Sequence, residues 1–158
     1  MQKESKIDLF KFSLDESFNE MCLNIEQLNK KRTDKEYLLE SNYRIGTFIH
    51  WIIDYYDRLK ECKKINGSDK EFFSGIKFLN NALKHEKSII KISQIQGGMT
   101  FPTTFPTCIP KFHFEFIKLN LTNKKYEHQY ELYCKYIFEK DVIEICEKAL
   151  KILKSIKE

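Results

Sequence analysis

Few residues in this chain can stop a helix. Five glycines and three prolines stand among 158 residues, and a sequence so poor in breakers favours long helices over many short strands. Three strings then signpost helix starts. Ser13-Leu-Asp-Glu16, Thr33-Asp-Lys-Glu36 and Ser68-Asp-Lys-Glu71 each read as a capping box. In such a box the hydroxyl accepts from the backbone N–H three residues on, and the Glu reaches back to the first residue's own N–H.

A helical apolar stripe follows each box. Leu14, Phe18, Met21, Cys22, Ile25 and Leu28 predict a first helix over 14–31. Leu38, Ile45, Ile49, Ile52, Tyr56 and Leu59 predict a second over 34–64, ended by the turn pair Asn66-Gly67. Phe72, Ile76, Leu79 and Leu83 predict a third over 69–86.

The period then changes. Residues 88–95, Ser-Ile-Ile-Lys-Ile-Ser-Gln-Ile, are rich in β-branched side chains and read as a strand. From Lys111 to Leu119 the pattern alternates. Phe112, Phe114 and Phe116 share one face, and His113, Glu115 and Ile117 share the other. Between them lie Gly97-Gly98-Met99 and a small duplication, Thr100-Phe-Pro-Thr103 and Thr104-Phe-Pro-Thr107. The prolines hold the residues before them extended.

A last helix, capped by Thr122, is expected over 123–156, with Tyr126, Tyr130, Tyr133, Ile137, Ile145, Ala149, Ile152 and Ile156 along its stripe. Unbroken, it would be roughly 50 Å long, longer than a small bundle is wide. That length predicts packing on a second subunit, hence a homodimer. A break near Lys140-Asp141 is the alternative. The expected fold class is mainly α: a four-helix bundle-like domain spanning 1–158, with an antiparallel β-hairpin, 88–121, inserted between helices three and four.

Composition narrows the class. Hydrophobic residues make up 42% and charged residues 32%, which fits a folded domain with a real core. No apolar run approaches the roughly 20 residues that span a bilayer, and the first residues do not read as a secretory signal. A cytoplasmic protein without membrane contact is expected. Five cysteines, an odd count with no C-x-x-C pair, read as reduced thiols rather than a disulfide framework or zinc site. The net charge of +4 permits nucleic-acid contact without requiring it.

One segment carries chemistry. In residues 72–85, the stripe of Phe72, Ile76, Leu79 and Leu83 leaves Lys77, Asn81, Lys84 and His85 on the far side of an ideal helix, with Asn80 at the border. Two ammonium groups, amides and an imidazole together can hold a phosphate and move a proton near neutral pH. The plainer reading is a solvated face whose positive charges complement the helix C-terminus.

The string Asn80-Asn-Ala-Leu-Lys-His85, near a helix end in a small helical domain, resembles the Arg-polar-x-x-x-His signature of the HEPN superfamily. The resemblance covers six residues of motif and, loosely, the helical framework. It implies an all-α, often dimeric domain that binds RNA or a nucleotide, in many members as a metal-independent endoribonuclease of toxin–antitoxin or phage-defence systems. By the same resemblance His85 and Asn80 take the catalytic positions and Asn81 the polar position beside them; Lys84 and Lys77, from the same helix face, are the residues expected to assist in binding. No metal and no cofactor are implied. The chain departs from the family where Asn80 replaces the Arg. An amide brings no charge to a developing dianion, so transition-state stabilisation is weakened, and lysines replace the guanidinium fork only as point charges. Whether the chain is an enzyme stays open.

Other features read more plainly. Arg44-Ile-Gly-Thr-Phe-Ile-His50 repeats an Arg–His spacing, but mid-helix and with an apolar residue after the Arg. His50 and Asp54, one turn apart, read as a partly buried pair beside Trp51. Tyr126, Tyr130 and Tyr133 read as core or interface before base-stacking. Lys148, Lys151 and Lys154 read as a solvated face before a phosphate strip. The Phe-Pro connection covers the core edge, or presents a loop to a protein partner. The alternative function is therefore a non-catalytic interaction or scaffold module.

Overall fold

The computed structural model describes residues 4–30, 35–61, 65–85, 88–95 and 111–156. Helices α1 (Glu4–Lys30) and α2 (Lys35–Glu61) form an antiparallel pair. Helix α3 (Gly67–Ala82) follows, then strands β1 (Ile90–Ile95) and β2 (Lys111–Phe116). A 3-10 turn, Lys124–Tyr126, leads into α4 (Glu127–Tyr136), and α5 (Val142–Ser155) closes the fold. The mainly α expectation with one hairpin between the third and fourth helices matches this order. No helix among the described residues is long and apolar enough to cross a membrane.

The core forms where the stripes meet. Phe18 faces Phe48 at 5.2 Å between α1 and α2, and Tyr56 stacks on Phe73 at 4.4 Å between α2 and α3. Helix α4 lies along α3, and α5 reaches α1, α2 and β2. Gly75 permits the α3–α4 approach, because a Cβ there would stand 3.0 Å from the Leu132 carbonyl oxygen. A polar pair lies inside the α1–α2 seam, where the Ser41 hydroxyl donates to Asn24 Oδ1 at 2.6 Å.

Two of the expected capping boxes do not cap their helices. Ser13 is no cap: α1 begins at Glu4 and runs through it. Phe10 anchors these early turns, 6.0 Å from the Trp51 ring and 6.4 Å from Tyr55, so tertiary packing extends the helix past its local start signal. Ser68 is also not the cap. Asn66 Oδ1 accepts from the Asp69 N–H at 2.9 Å and from the Ser68 hydroxyl at 3.1 Å, so the turn pair read as ending helix two in fact opens α3. The Thr33 box lies outside the described residues.

The strands pair antiparallel, from Ile90 opposite Phe116 to Ile95 opposite Lys111. Phe114 and Phe116 are buried as the alternation requires, while His113 and Glu115 face out. β1 starts two residues later than expected, because Asn42 of α2 holds the preceding chain. Its Oδ1 accepts from the Ser88 hydroxyl and the Ile89 N–H, each at 3.0 Å. β2 stops at Phe116 rather than Leu119. The Thr-Phe-Pro-Thr repeats lie outside the described residues.

The single helix expected over 123–156 is two helices. Asn123, not Thr122, caps the entry, its Oδ1 accepting from the Lys125 N–H at 2.9 Å. After α4 the chain turns through Glu139, at φ 60°. There the Glu139 N–H donates to Phe116 O at 3.1 Å, and the Phe116 N–H donates to Lys140 O at 3.2 Å. The end of β2 thus takes backbone groups that a continuous helix would need. Asp141 then caps α5 through a 2.9 Å bond from the Glu144 N–H. Tyr133, Ile137, Val142, Ala149 and Leu153 are all buried within one chain, so the length argument for a second subunit disappears.

Candidate functional site

Helix α3 does not run to Glu86. It ends at Ala82, and its last turn tightens, with the Lys84 N–H donating to Asn81 O at 3.4 Å and the His85 N–H to Ala82 O at 2.9 Å. Such i+3 closure departs from the 100° step of an ideal helix. The expected group divides: Asn80 and Lys84 open onto one cleft, and Asn81, Lys84 and His85 onto another. Lys84 stands on the ridge and borders both.

Lys77 borders neither cleft. Its ammonium pairs with Asp57 at 2.5 Å and lies 5.5 Å from the centre of the Tyr56 ring. It ties α3 to α2 and leaves the expected binding group.

The larger cleft, about 490 Å³, lies between α2 and the end of α3. Gly46 lets the helices close, since a Cβ there would meet Leu83 Cδ2 at 3.2 Å. Leu83 and Ile89 line the cleft with Tyr43 and Trp51. Polar groups converge above them. His50 Nδ1 stands 3.4 Å from Asn80 Oδ1, a long hydrogen-bond contact. With Nδ1–H donating to the amide oxygen, Nε2 keeps its lone pair. Asp54 Oδ2 lies 3.9 Å from Nε2. The Asn42 amide oxygen is spent on Ser88 and Ile89, and the Thr47 hydroxyl on Tyr43 O at 2.9 Å. His50 Nε2, the Asn80 amide N–H groups and the Lys84 ammonium remain to face a guest.

The smaller cleft, about 240 Å³, has Asn81, Lys84, His85, Thr122 and Tyr126 on its walls. Lys84 has no carboxylate partner among the described residues. Among the described residues no acid lines either cleft, although the chain holds 23. A surface that retains a cation and lacks acids suits an anion.

Sequence reasoning passed over His50, which it placed in a partly buried pair. The side chain is 61% exposed and turned to the cleft. The signal was its Arg44–His50 spacing, but Arg44 faces elsewhere, bonded to Glu20 at 2.6 Å and Glu40 at 3.4 Å. Of the tyrosines, Tyr133 is core: burial pushes its phenol far above the ordinary range, and its hydroxyl donates to Ile117 O at 2.5 Å. Tyr126 stays at the surface. The lysine strip of α5 is partly engaged, with Lys148 4.5 Å from the Phe72 ring centre and Lys154 2.6 Å from Asp15.

Cys22, Cys134 and Cys146 are free thiols. Burial pushes the Cys146 thiol well up, and the nearby Cys22, Asp141 and Glu147 add to it, so it is no nucleophile. No cluster of metal-ligating side chains forms among the described residues. The chain matches no protein-family model, no curated protein and no solved structure.

Proposed function

We propose that this chain is a HEPN-like RNA- or nucleotide-binding protein that holds a phosphate at Lys84. The observation that supports this reading is the lining of the larger cleft: an ammonium, an imidazole and an amide above aromatic walls, with no carboxylate partner for the ammonium and no acid in the lining among the described residues. Its size lies in the range of small-ligand sites. Tyr43 and Trp51 offer faces on which a base stacks, and Lys84 supplies the charge. Asn80 orients His50 and keeps Nε2 ready to take a proton.

In its catalytic form, the reading assigns His50 the proton transfer that the motif gave to His85. A ribose 2′-hydroxyl attacks the adjacent phosphorus and passes its proton to His50 Nε2. The P–O5′ bond breaks and the leaving oxygen takes a proton from water, whose hydroxide takes back the proton held on His50, leaving a cyclic phosphate and a 5′-hydroxyl. Asn80 in the Arg position donates hydrogen bonds without charge, so such cleavage is slow.

The test is binding of AMP and of a short RNA to the purified chain by calorimetry or fluorescence anisotropy. Lys84→Ala should weaken binding about tenfold, the loss of one charge-assisted contact. Unchanged affinity would remove the reading. A cleavage assay in EDTA, with His50→Ala as control, tests the catalytic form.

A second reading has its own support. Leu9, Phe12 and Leu23 lie on the face of α1 away from the core, each more than half exposed at 58%, 64% and 57%. Three large apolar side chains on one open helix face suit a scaffold or interaction module. Light scattering of the wild type and of Phe12→Asp tests it; a monomer at every concentration, unchanged by the substitution, counts against self-association through this face.

A further inference from the structure

Lys84 borders two clefts at once, and that sharing bears on the kind of ligand. We propose that the ligand is a single-stranded RNA crossing the end of α3, with one phosphate on Lys84 and one base in each flanking cleft. The inference rests on the RNA- or nucleotide-binding reading above and goes further by choosing the polymer over the mononucleotide.

One ammonium neutralises one phosphate, and in a strand every internal phosphate has a nucleoside on each side. The fold places a cleft on each side of Lys84. The larger holds Tyr43 and Trp51, and the smaller holds Tyr126. Tyr126 is 36% exposed at the end of the Asn123-capped 3-10 turn, a rigid mount for a stacking face. The Lys125 ammonium lies 5.9 Å from the centre of that ring, and on the proposed path it meets the next phosphate. The Asn81 amide and the His85 imidazole on the same wall have no partner among the described residues. They suit the polar edge of a base, and neither is needed by a mononucleotide in the larger cleft.

A duplex does not fit this arrangement. Its bases are paired and stacked, and only unpaired bases can be splayed into two separate clefts. Single-stranded sites built this way combine a positive track with aromatic platforms.

The experiment compares AMP, an eight-nucleotide single-stranded RNA and the corresponding duplex by competition anisotropy, on the wild type, Tyr126→Ala and Tyr43→Ala. The octamer should outcompete AMP and the duplex by roughly tenfold or more. Tyr126→Ala should lose most of that advantage while binding AMP as the wild type does, and Tyr43→Ala should weaken both ligands. Tyr126 is a surface residue, and circular dichroism verifies that the variant stays folded. AMP binding as tightly as the octamer, duplex binding equal to single strand, or an octamer indifferent to Tyr126→Ala overturns the two-cleft path and leaves the single-site reading intact. Binding of neither AMP nor RNA overturns both.

Discussion

His113 and Asp141 join the hairpin to the last helix: His113 Nδ1 lies 2.9 Å from Asp141 Oδ2. The other oxygen of the same carboxylate accepts from the Glu144 N–H at 2.9 Å and caps α5. One side chain therefore serves both as a helix cap and as the anchor of β2.

Substituting that carboxylate should cost both roles. Asp141→Ala is expected to lower stability by about 2 kcal/mol, toward the upper end for a lost N-cap. Asp141→Asn keeps a capping oxygen and should lose less. Urea titration of the three proteins checks the order, and equal stability of wild type and Asp141→Ala would contradict it.

The same corner gives a pH dependence through Glu115. Lys91, hydrogen-bonded to it at 2.7 Å, holds its carboxyl below the usual range, helped by the charge of Lys91 and by His113 at 3.2 Å. Its folded value thus lies below its unfolded one, about 4.3. The stability it contributes is present in full above the unfolded value and is lost as pH falls through the folded one. Glu115→Gln should therefore be less stable than wild type near neutral pH. The gap should narrow as pH falls below the unfolded value and the carboxyl takes up its proton. Urea midpoints across that range measure it; a gap that widens in acid has the wrong sign.

Gly75 and Gly67 should respond oppositely to alanine. At Gly75 a methyl meets backbone atoms of Leu132 and Tyr133 at 3.0–3.1 Å. Backbone cannot swing aside, so α3 and α4 must separate, at about 1–3 kcal/mol. At Gly67 nothing lies within 4 Å of the added methyl. Gly67→Ala is expected to be neutral or to stabilise by up to about 1 kcal/mol. Thermal melts of both variants decide.

Cys146 should resist alkylation in the native protein. It is buried, and its thiol is held neutral by that burial, while only the thiolate reacts. Iodoacetamide labelling read by peptide mass spectrometry should modify Cys146 only after urea is added. Rapid native labelling there would mean that α5 opens readily.

The site was partly legible. The amide, ammonium and imidazole groups of 80–85 were visible as residue types, and Asn80 and Lys84 do share a cleft. Asn81, Lys84 and His85 share the other cleft, as the helical wheel groups them, and Asn80, at the border of that face, opens away from His85. Lys77 was assigned to the same group because nothing local shows that Asp57, twenty positions away, claims its charge. His50 comes to Asn80 across thirty positions, a proximity that no motif spacing encodes.

What the sequence by itself determined is local: helix where apolar residues recur with the helical period, and strand where Phe114 and Phe116 alternate with His113 and Glu115. These follow from backbone geometry and side-chain direction alone. The tertiary structure decided where those patterns stop and which polar groups meet. The chain turns at 137–141 because the end of β2 bonds the backbone of Glu139 and Lys140, and the cleft exists because Gly46 lets Leu83 come near. Both depend on partners distant in the chain, whose energies enter only once the elements have packed together.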